Sequence, residues 1–389
     1  MRERHGPIGC SHEQADLLES ATRFCEDKSP IAKVRGLLED EIGYDLDVFA
    51  EMGDLGWLGV AIPEAYGGAG LDLAEVVPLA EQMGRRLMSG PFVPTTLAGQ
   101  LLLGAGTKAQ KQSLLPALAG GEPATVALAE PAGNFDLAQI SCRAERHGES
   151  LRLSGTKCLV LDAPVANWLI ASVSLEGSVA LVLLDADQIR QAGPVREKVI
   201  DETRRSFRLC LDGLEVPGSA LLDPVATLDA LREVELAGGL LSAADMCGAG
   251  ASCVAYTVSY LTTRKQFGRL IGSYQGLKHP TVEAHVRMEQ ARSHVYAAAH
   301  TFGKGAQGEI AVRMAKAQTG PALAFAADRS IQFHGGFGFT YECDAQLYRR
   351  RALWGESQYG DAVHQRRLLA DLMLSGNLFA EGARGGHFL

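Results

Sequence analysis

The chain has 389 residues, 47% of them apolar, enough for two or three domains with buried cores and too much for a largely disordered protein. Thirty-seven Lys and Arg against 46 Asp and Glu give a net charge of −9, the wrong sign for binding a nucleic-acid backbone. Eight cysteines (Cys10, Cys25, Cys142, Cys158, Cys210, Cys247, Cys253 and Cys343) form no C-x-x-C pair, which predicts reduced thiols rather than a disulfide framework or a zinc site. No apolar run reaches the ~18–20 residues of a membrane span, and the opening MRERHGPIGCSHEQ lacks a signal-peptide core, so a cytoplasmic chain is expected.

In chain order, residues 11–120 carry helical spacing in SHEQADLLESATRFCED, DLDVFAEMGDLG and LAEVVPLAEQMGRRL, with AIPEAYGG as a breaker. From about 123 to 225 the runs LRLSGTKCLVL, NWLIASVSL and SVALVLLDA are short, β-rich and divided by turn residues. After Asp223-Pro224 helical texture returns, and the stretch from Thr227 to Gly268 is apolar on several faces, as a bundle interior or subunit interface requires. The predicted domains are therefore 1–122 helical, 123–225 β and 226–389 helical, an α+β class. His279, His285, His294 and His300 share no helix face, so no metal is expected. Arg349-Arg350-Arg351 reads as a solvated helix face.

Several stretches in order resemble the acyl-CoA dehydrogenase family of flavoproteins. They are LGWLGVAIPEAYGGAGLDLAE (55–75), GTKAQKQSLLPALAGGE (106–122), AEPAGNFD (129–136), GTKCLVLDAPVANW (155–168), RKQFGRLIGSYQGLKH (264–279) and QFHGGFGFTYE (332–342). The resemblance implies an N-terminal helical domain, a middle β-barrel-like domain, a C-terminal four-helix bundle and a tetramer with FAD at subunit interfaces. It assigns the ADP half of FAD to Arg264, Phe267, Gln275, Gln332, Gly335 and Gly336. Their chemistry suits that role, with a fixed guanidinium for pyrophosphate, a ring for adenine, amides that donate and accept, and backbone without a Cβ in the way.

The flavin half departs from the family. Ala129 and Leu161 each stand where the family has a Thr beside the flavin, Leu159 replaces a packed Trp, and Asn134-Phe135 replaces Gly-Ser. The base is also displaced. Oxidation across Cα–Cβ needs a carboxylate to take the α-proton, yet Trp354 occupies the Glu position of the family's Tyr-Glu-Gly-Thr, and the alternative family position, about 26 residues before Arg264, is Gly238. Asp245, two helical turns beyond Gly238, is the first candidate, and Glu235 and Glu356 are weaker ones.

The resemblance, strongest to steroid-type members over 243–279, implies one subunit of an α2β2 hetero-oligomer with a second family member. It would oxidise a bulky, steroid-like acyl-CoA to the 2-enoyl-CoA and pass electrons to an electron-transfer flavoprotein. The rival expectations are a self-sufficient homotetramer and a non-catalytic acyl-CoA- or FAD-binding subunit.

Overall fold

Helix starts in the first third are written in local side-chain chemistry. Asp45 accepts the backbone N–H groups of Asp47 and Val48 at 3.0 and 3.2 Å, and Thr107 with Gln110 forms a reciprocal capping box. In the computed structural model, which describes residues 11–134 and 136–374, this third holds α1 (His12–Lys28), α2 (Ile31–Gly36), α3 (Leu46–Asp54), α4 (Val77–Arg85), α5 (Phe92–Ala105) and α6 (Lys108–Ala119). The AIPEAYGG breaker between α3 and α4 is a turn in which a Cβ on Gly68 would overlap the carbonyls of Ile62 and Gly59.

The middle stretch carries β1 (Ala124–Ala127), β2 (Arg143–His147), β3 (Ser150–Ser154), β4 (Thr156–Leu161), β5 (Trp168–Leu175), β6 (Ser178–Asp185), a short α7 (Ala186–Gln191), β7 (Val195–Glu197), β8 (Ser206–Cys210) and β9 (Glu215–Pro217). They form a six-stranded sheet in the order β1-β5-β2-β3-β9, with β6 on β5, and a three-stranded sheet β4-β8-β7. Alternate residues of both sheets, among them Leu151, Leu153, Ala171, Val173 and Val182 from one and Val160, Phe207 and Leu209 from the other, share one core.

The last stretch is helical: α8 (Thr227–Leu261), a hairpin of β10 (Lys265–Gln266) and β11 (Arg269–Leu270), then α9 (Gln275–Thr301), α10 (Gly305–Phe333), α11 (Ala345–Ser357) and α12 (Ala362–Leu374). α10 packs on α9, α11 and α12. α8 reaches α9 through Gly250 against Met288, α10 through Thr257 bonded to Ser330, and α11 through Met246 against Gly355. The described residues form two compact units. One comprises 27–76 and 88–238 and holds both large sheets; the other comprises 11–26, 77–87 and 239–374 and holds α4, most of α8, and α9–α12.

The seven described cysteines are free thiols, and Cys10 lies outside the described residues. Among the described residues no helix is long and apolar enough to cross a membrane, and no three metal-ligating side chains cluster.

Candidate functional site

The RKQFGRL stretch forms a two-residue hairpin. Gln266 pairs with Arg269, and Phe267 and Gly268 at the tip have φ of +53° and +80°, the backbone of a type I′ turn. A Phe held in the left-handed region is strained, and the residue is 91% exposed at the tip. Tyr274 fixes the hairpin: its hydroxyl donates to the Gln266 carbonyl at 3.2 Å, the Arg269 guanidinium lies 4.2 Å from its ring centre, and the Phe267 ring meets it edge-on at 6.4 Å.

Behind it opens a cleft of about 780 Å³ lined by Tyr260, Arg264, Phe267, Tyr274 and His334-Gly335-Gly336-Phe337, among others. Arg264, Phe267, Gly335 and Gly336 are thus brought together. Gln275 and Gln332 are exposed and adjoin the lining residues Tyr274 and Phe333 in sequence. Gly335 has φ +64°, and neither it nor Gly336 has a neighbour within 4 Å of where a Cβ would stand, so a ligand can approach this backbone.

Ala129 and Leu161 belong to the other unit. Ala129 is half-buried and its carbonyl accepts the Cys158 N–H at 3.0 Å. Leu161 ends β4, paired with Ser206, and its carbonyl accepts the Thr125 hydroxyl at 2.7 Å. Leu159 is turned out by a register shift between Lys157 and Val160, with φ +53°, and is 40% exposed. Asn134 forms an Asx turn with the Asp136 N–H at 2.9 Å; Phe135 lies outside the described residues.

The same motifs hold two residues that sequence reasoning passed over. Lys157, fully buried, donates to Glu130 at 2.8 Å and to the Ser172 hydroxyl at 3.0 Å, and Glu130 also accepts the N–H groups of Ser141 and Cys142 at 2.7 and 3.1 Å. Burial pushes the Glu130 carboxyl up, but the Lys157 bond and the two N–H groups outweigh it and hold the group at about 2. An acid in AEP and a lysine in GTK, each inside a β-rich apolar stretch, were the available signal.

The three candidate bases differ in their engagements. Asp245 is buried, and Nη1 of the fully buried Arg351 stands 2.9 Å from both of its carboxylate oxygens. This corrects the reading of Arg349-Arg350-Arg351 as a solvated face: Arg351 ties α11 to α8, Arg349 pairs with Asp328 at 2.6 Å, and Arg350 lies over the Tyr341 ring. Glu235 is half-buried, ten residues before Asp245 on α8. Glu356 is half-buried near the end of α11, its side chain packed on Gly320, and among the described residues its carboxylate makes no hydrogen bond or ion pair. Beside it, buried Lys316 donates to the carbonyls of Gly355, Glu356 and Gly360 at 2.9, 3.1 and 3.2 Å. Burial lowers its ammonium to about 8 against the opposing pull of Glu356 and Asp361. Trp354 is buried.

Comparison with known proteins bears on the whole chain. Residues 11–122 match the acyl-CoA dehydrogenase N-terminal domain and residues 237–374 the acyl-CoA dehydrogenase C-terminal domain. Acyl-CoA dehydrogenase IpdE2 of Mycolicibacterium smegmatis is 29% identical over 365 residues, 93% of this chain and 99% of that protein. IpdE2 of Mycobacterium tuberculosis is 30% identical over 345 residues, 87% and 91% of the two chains. Among solved structures, a variant of the Tcur3481-Tcur3483 steroid ACAD matches with a TM-score of 0.82 at 29% identity, over 96% of this chain and 99% of that one. The ChsE4-ChsE5 complex from Mycobacterium tuberculosis gives a TM-score of 0.85 at 23% identity, over 94% and 98% of the two chains, a likeness of fold. With the domain order, the hairpin cleft and these matches in agreement, the chain belongs to the acyl-CoA dehydrogenase family of flavin-dependent oxidoreductases.

Proposed function

We propose that this chain is one subunit of an α2β2 acyl-CoA dehydrogenase that oxidises a bulky, steroid-like acyl-CoA to the 2-enoyl-CoA and passes electrons to an electron-transfer flavoprotein. The observation that carries the proposal is an asymmetry. The cleft of Arg264, Phe267, Gly335 and Gly336 is open and has the chemistry for the adenosine half of FAD, whereas Ala129, Leu161 and Trp354 stand where hydroxyl and carboxylate groups are needed. The steroid class is supported by likeness to IpdE2 and to the Tcur3481-Tcur3483 steroid ACAD; the pairing is supported by likeness to complexes of two named chains.

FAD, when bound, supplies the hydride acceptor of the family's reaction. Arg264 would balance pyrophosphate charge, Phe267 would cover the adenine, the Gly335-Gly336 backbone would admit the phosphates or ribose, and Gln275 and Gln332 would add amide contacts at the rim. In this chain's own β unit, Ala129 and Leu161 offer apolar surface and no hydroxyl donor. Both oxygens of Asp245 are engaged by Arg351, so the carboxylate of the first candidate base is committed to a partner inside the fold. The cleft therefore serves a flavin seated on the partner's bed.

A second reading, the self-sufficient homotetramer, is favoured by Glu356 alone. Its carboxylate lies two residues past the family's Glu position and has no ion pair among the described residues, which supports a role in taking the α-proton. The deciding experiment is the visible spectrum and native mass of the chain expressed alone and with a second family member. The proposal expects a colourless or insoluble lone chain and a yellow heterotetramer with about half an FAD per chain, since only one of the two beds is complete. One FAD per chain in a yellow homotetramer, bleached by an acyl-CoA and no longer bleached in Glu356→Gln, would establish the second reading.

A further inference from the structure

His334, in the HGGFG stretch, is 3% exposed, and its ring is held on two sides. It stacks on Tyr260 at 4.2 Å and on Tyr256 at 4.7 Å, and its Nδ1 lies 2.7 Å from the Ser330 carbonyl oxygen. A carbonyl only accepts, so Nδ1 carries the proton and donates, and in the neutral ring Nε2 presents a bare lone pair. Burial lowers the ring's proton affinity, which favours that neutral form. Nε2 is buried and has no hydrogen-bond partner among the described residues. His334 also lines the cleft that holds Arg264, Phe267 and Gly335-Gly336.

A buried acceptor without a donor is costly in the empty protein, and that cost is recovered if a bound molecule brings the missing N–H or O–H. From this juxtaposition we infer that His334 Nε2 is a recognition acceptor for a neutral donor on the adenosine portion of the nucleotide, either the adenine exocyclic amine or the ribose 2′-hydroxyl. The inference rests on the reading of this cleft as a nucleotide site and adds a residue and a direction to it: Arg264 recognises charge, and His334 recognises a donor. The Ser330 bond sets the tautomer, and the two tyrosine rings fix the ring plane.

The test uses the full chain, in its complex where one is needed for solubility, stripped of flavin and titrated calorimetrically with ADP, inosine diphosphate and 2′-deoxy-ADP. His334→Phe keeps a stacking ring and removes the acceptor. The expected result is ADP binding weakened about tenfold or more, since the donor is then buried unpaired. The analogue lacking the contacted donor should bind wild type about as weakly as it binds His334→Phe. Loss with inosine diphosphate assigns the amine, and loss with 2′-deoxy-ADP assigns the 2′-hydroxyl. Without nucleotide, His334→Phe should melt no lower than wild type, whereas a purely structural histidine predicts a lower melting temperature. Should the variant fail to fold, the ¹⁵N resonance of His334 Nε2 in wild type replaces it: ADP must move it from the bare-acceptor position toward the hydrogen-bonded one. Equal ADP affinity in wild type and His334→Phe, or an unmoved resonance at saturation, overturns the inference while leaving the nucleotide cleft in place. No ADP binding by wild type overturns both.

Discussion

Asp162, buried, and Glu130, half-buried with its side chain 9% exposed, are two carboxyl groups of the β unit shifted in opposite directions. Asp162 follows Leu161 directly, has φ +53° and is 7% exposed; burial raises it from 3.8 to about 7, against the smaller pull of Arg204 and Arg205. Between those values the folded chain holds a proton that the unfolded chain has lost, so stability falls as pH rises from about 4 to about 7. Asp162→Asn removes that charge and keeps a residue at ease with left-handed backbone, so it should raise the melting temperature by a few degrees at pH 8 and by little at pH 4. Equal gains at both pH values would contradict this. Glu130 works the other way. Its folded value of about 2 lies below the ordinary 4.5, so its contribution is complete above about 4.5 and is lost as pH falls through 2. Lys157→Met leaves that carboxylate buried without its partner, and urea unfolding at pH 7 should show a loss of about 3–5 kcal/mol. At this scale the sequence is legible in chemistry and poor in geometry. Ala129, Leu161 and Trp354 could be read as departures from the residue types alone, but the lone pair on His334 and the Arg351 grip on Asp245 depend on packing that no periodicity encodes.

Between elements, the tightest fit is the crossing of α4 and α8. A Cβ on Gly84 would overlap the Asp245 carbonyl, and one on Gly248 would overlap the Glu81 carbonyl, so the two backbones touch where each helix has a glycine. Glu81 then accepts from Arg292 Nε at 2.6 Å and from the Tyr296 hydroxyl at 2.5 Å, which joins α9 to the same crossing. Alanine gains about 1 kcal/mol of helix propensity over glycine, but backbone overlap costs more than that. Gly248→Ala should therefore lower stability by about 3 kcal/mol or more in chemical denaturation, and a neutral result would mean that the helices cross further apart. Lys316 does comparable work at the end of α11, where its ammonium bonds carbonyls that the helix leaves open. Helix–sheet–helix order follows from side-chain period, because alternation and 3.6-residue spacing are local properties. The RKQFGRL hairpin was not legible: two left-handed residues, Phe267 and Gly268, make the turn, and nothing in the residue type marks a phenylalanine for that backbone.

At the scale of the whole chain, the helical unit of residues 11–26, 77–87 and 239–374 leaves much apolar surface uncovered. Phe339 is 75% exposed, Val363 72%, Val282 58% and Val286 46%, and the last two lie one turn apart on α9. Single exposed apolar side chains are ordinary, but two on one face of a long helix, with Phe339 and Val363 also uncovered in the same unit, are the composition of an interface. Sedimentation should accordingly return a mass of at least twice 41.4 kDa for the functional species. Val282→Lys with Val286→Lys places two like charges on that stripe, while the buried face of α9 at Ala284, Met288, Ala291 and Val295 is left intact. The double variant should lose mass in sedimentation at unchanged helical content, because charge opposes association without disturbing the protomer's own core. If its mass equals that of wild type, this face of α9 is solvent in the assembly and the contact lies elsewhere on the chain.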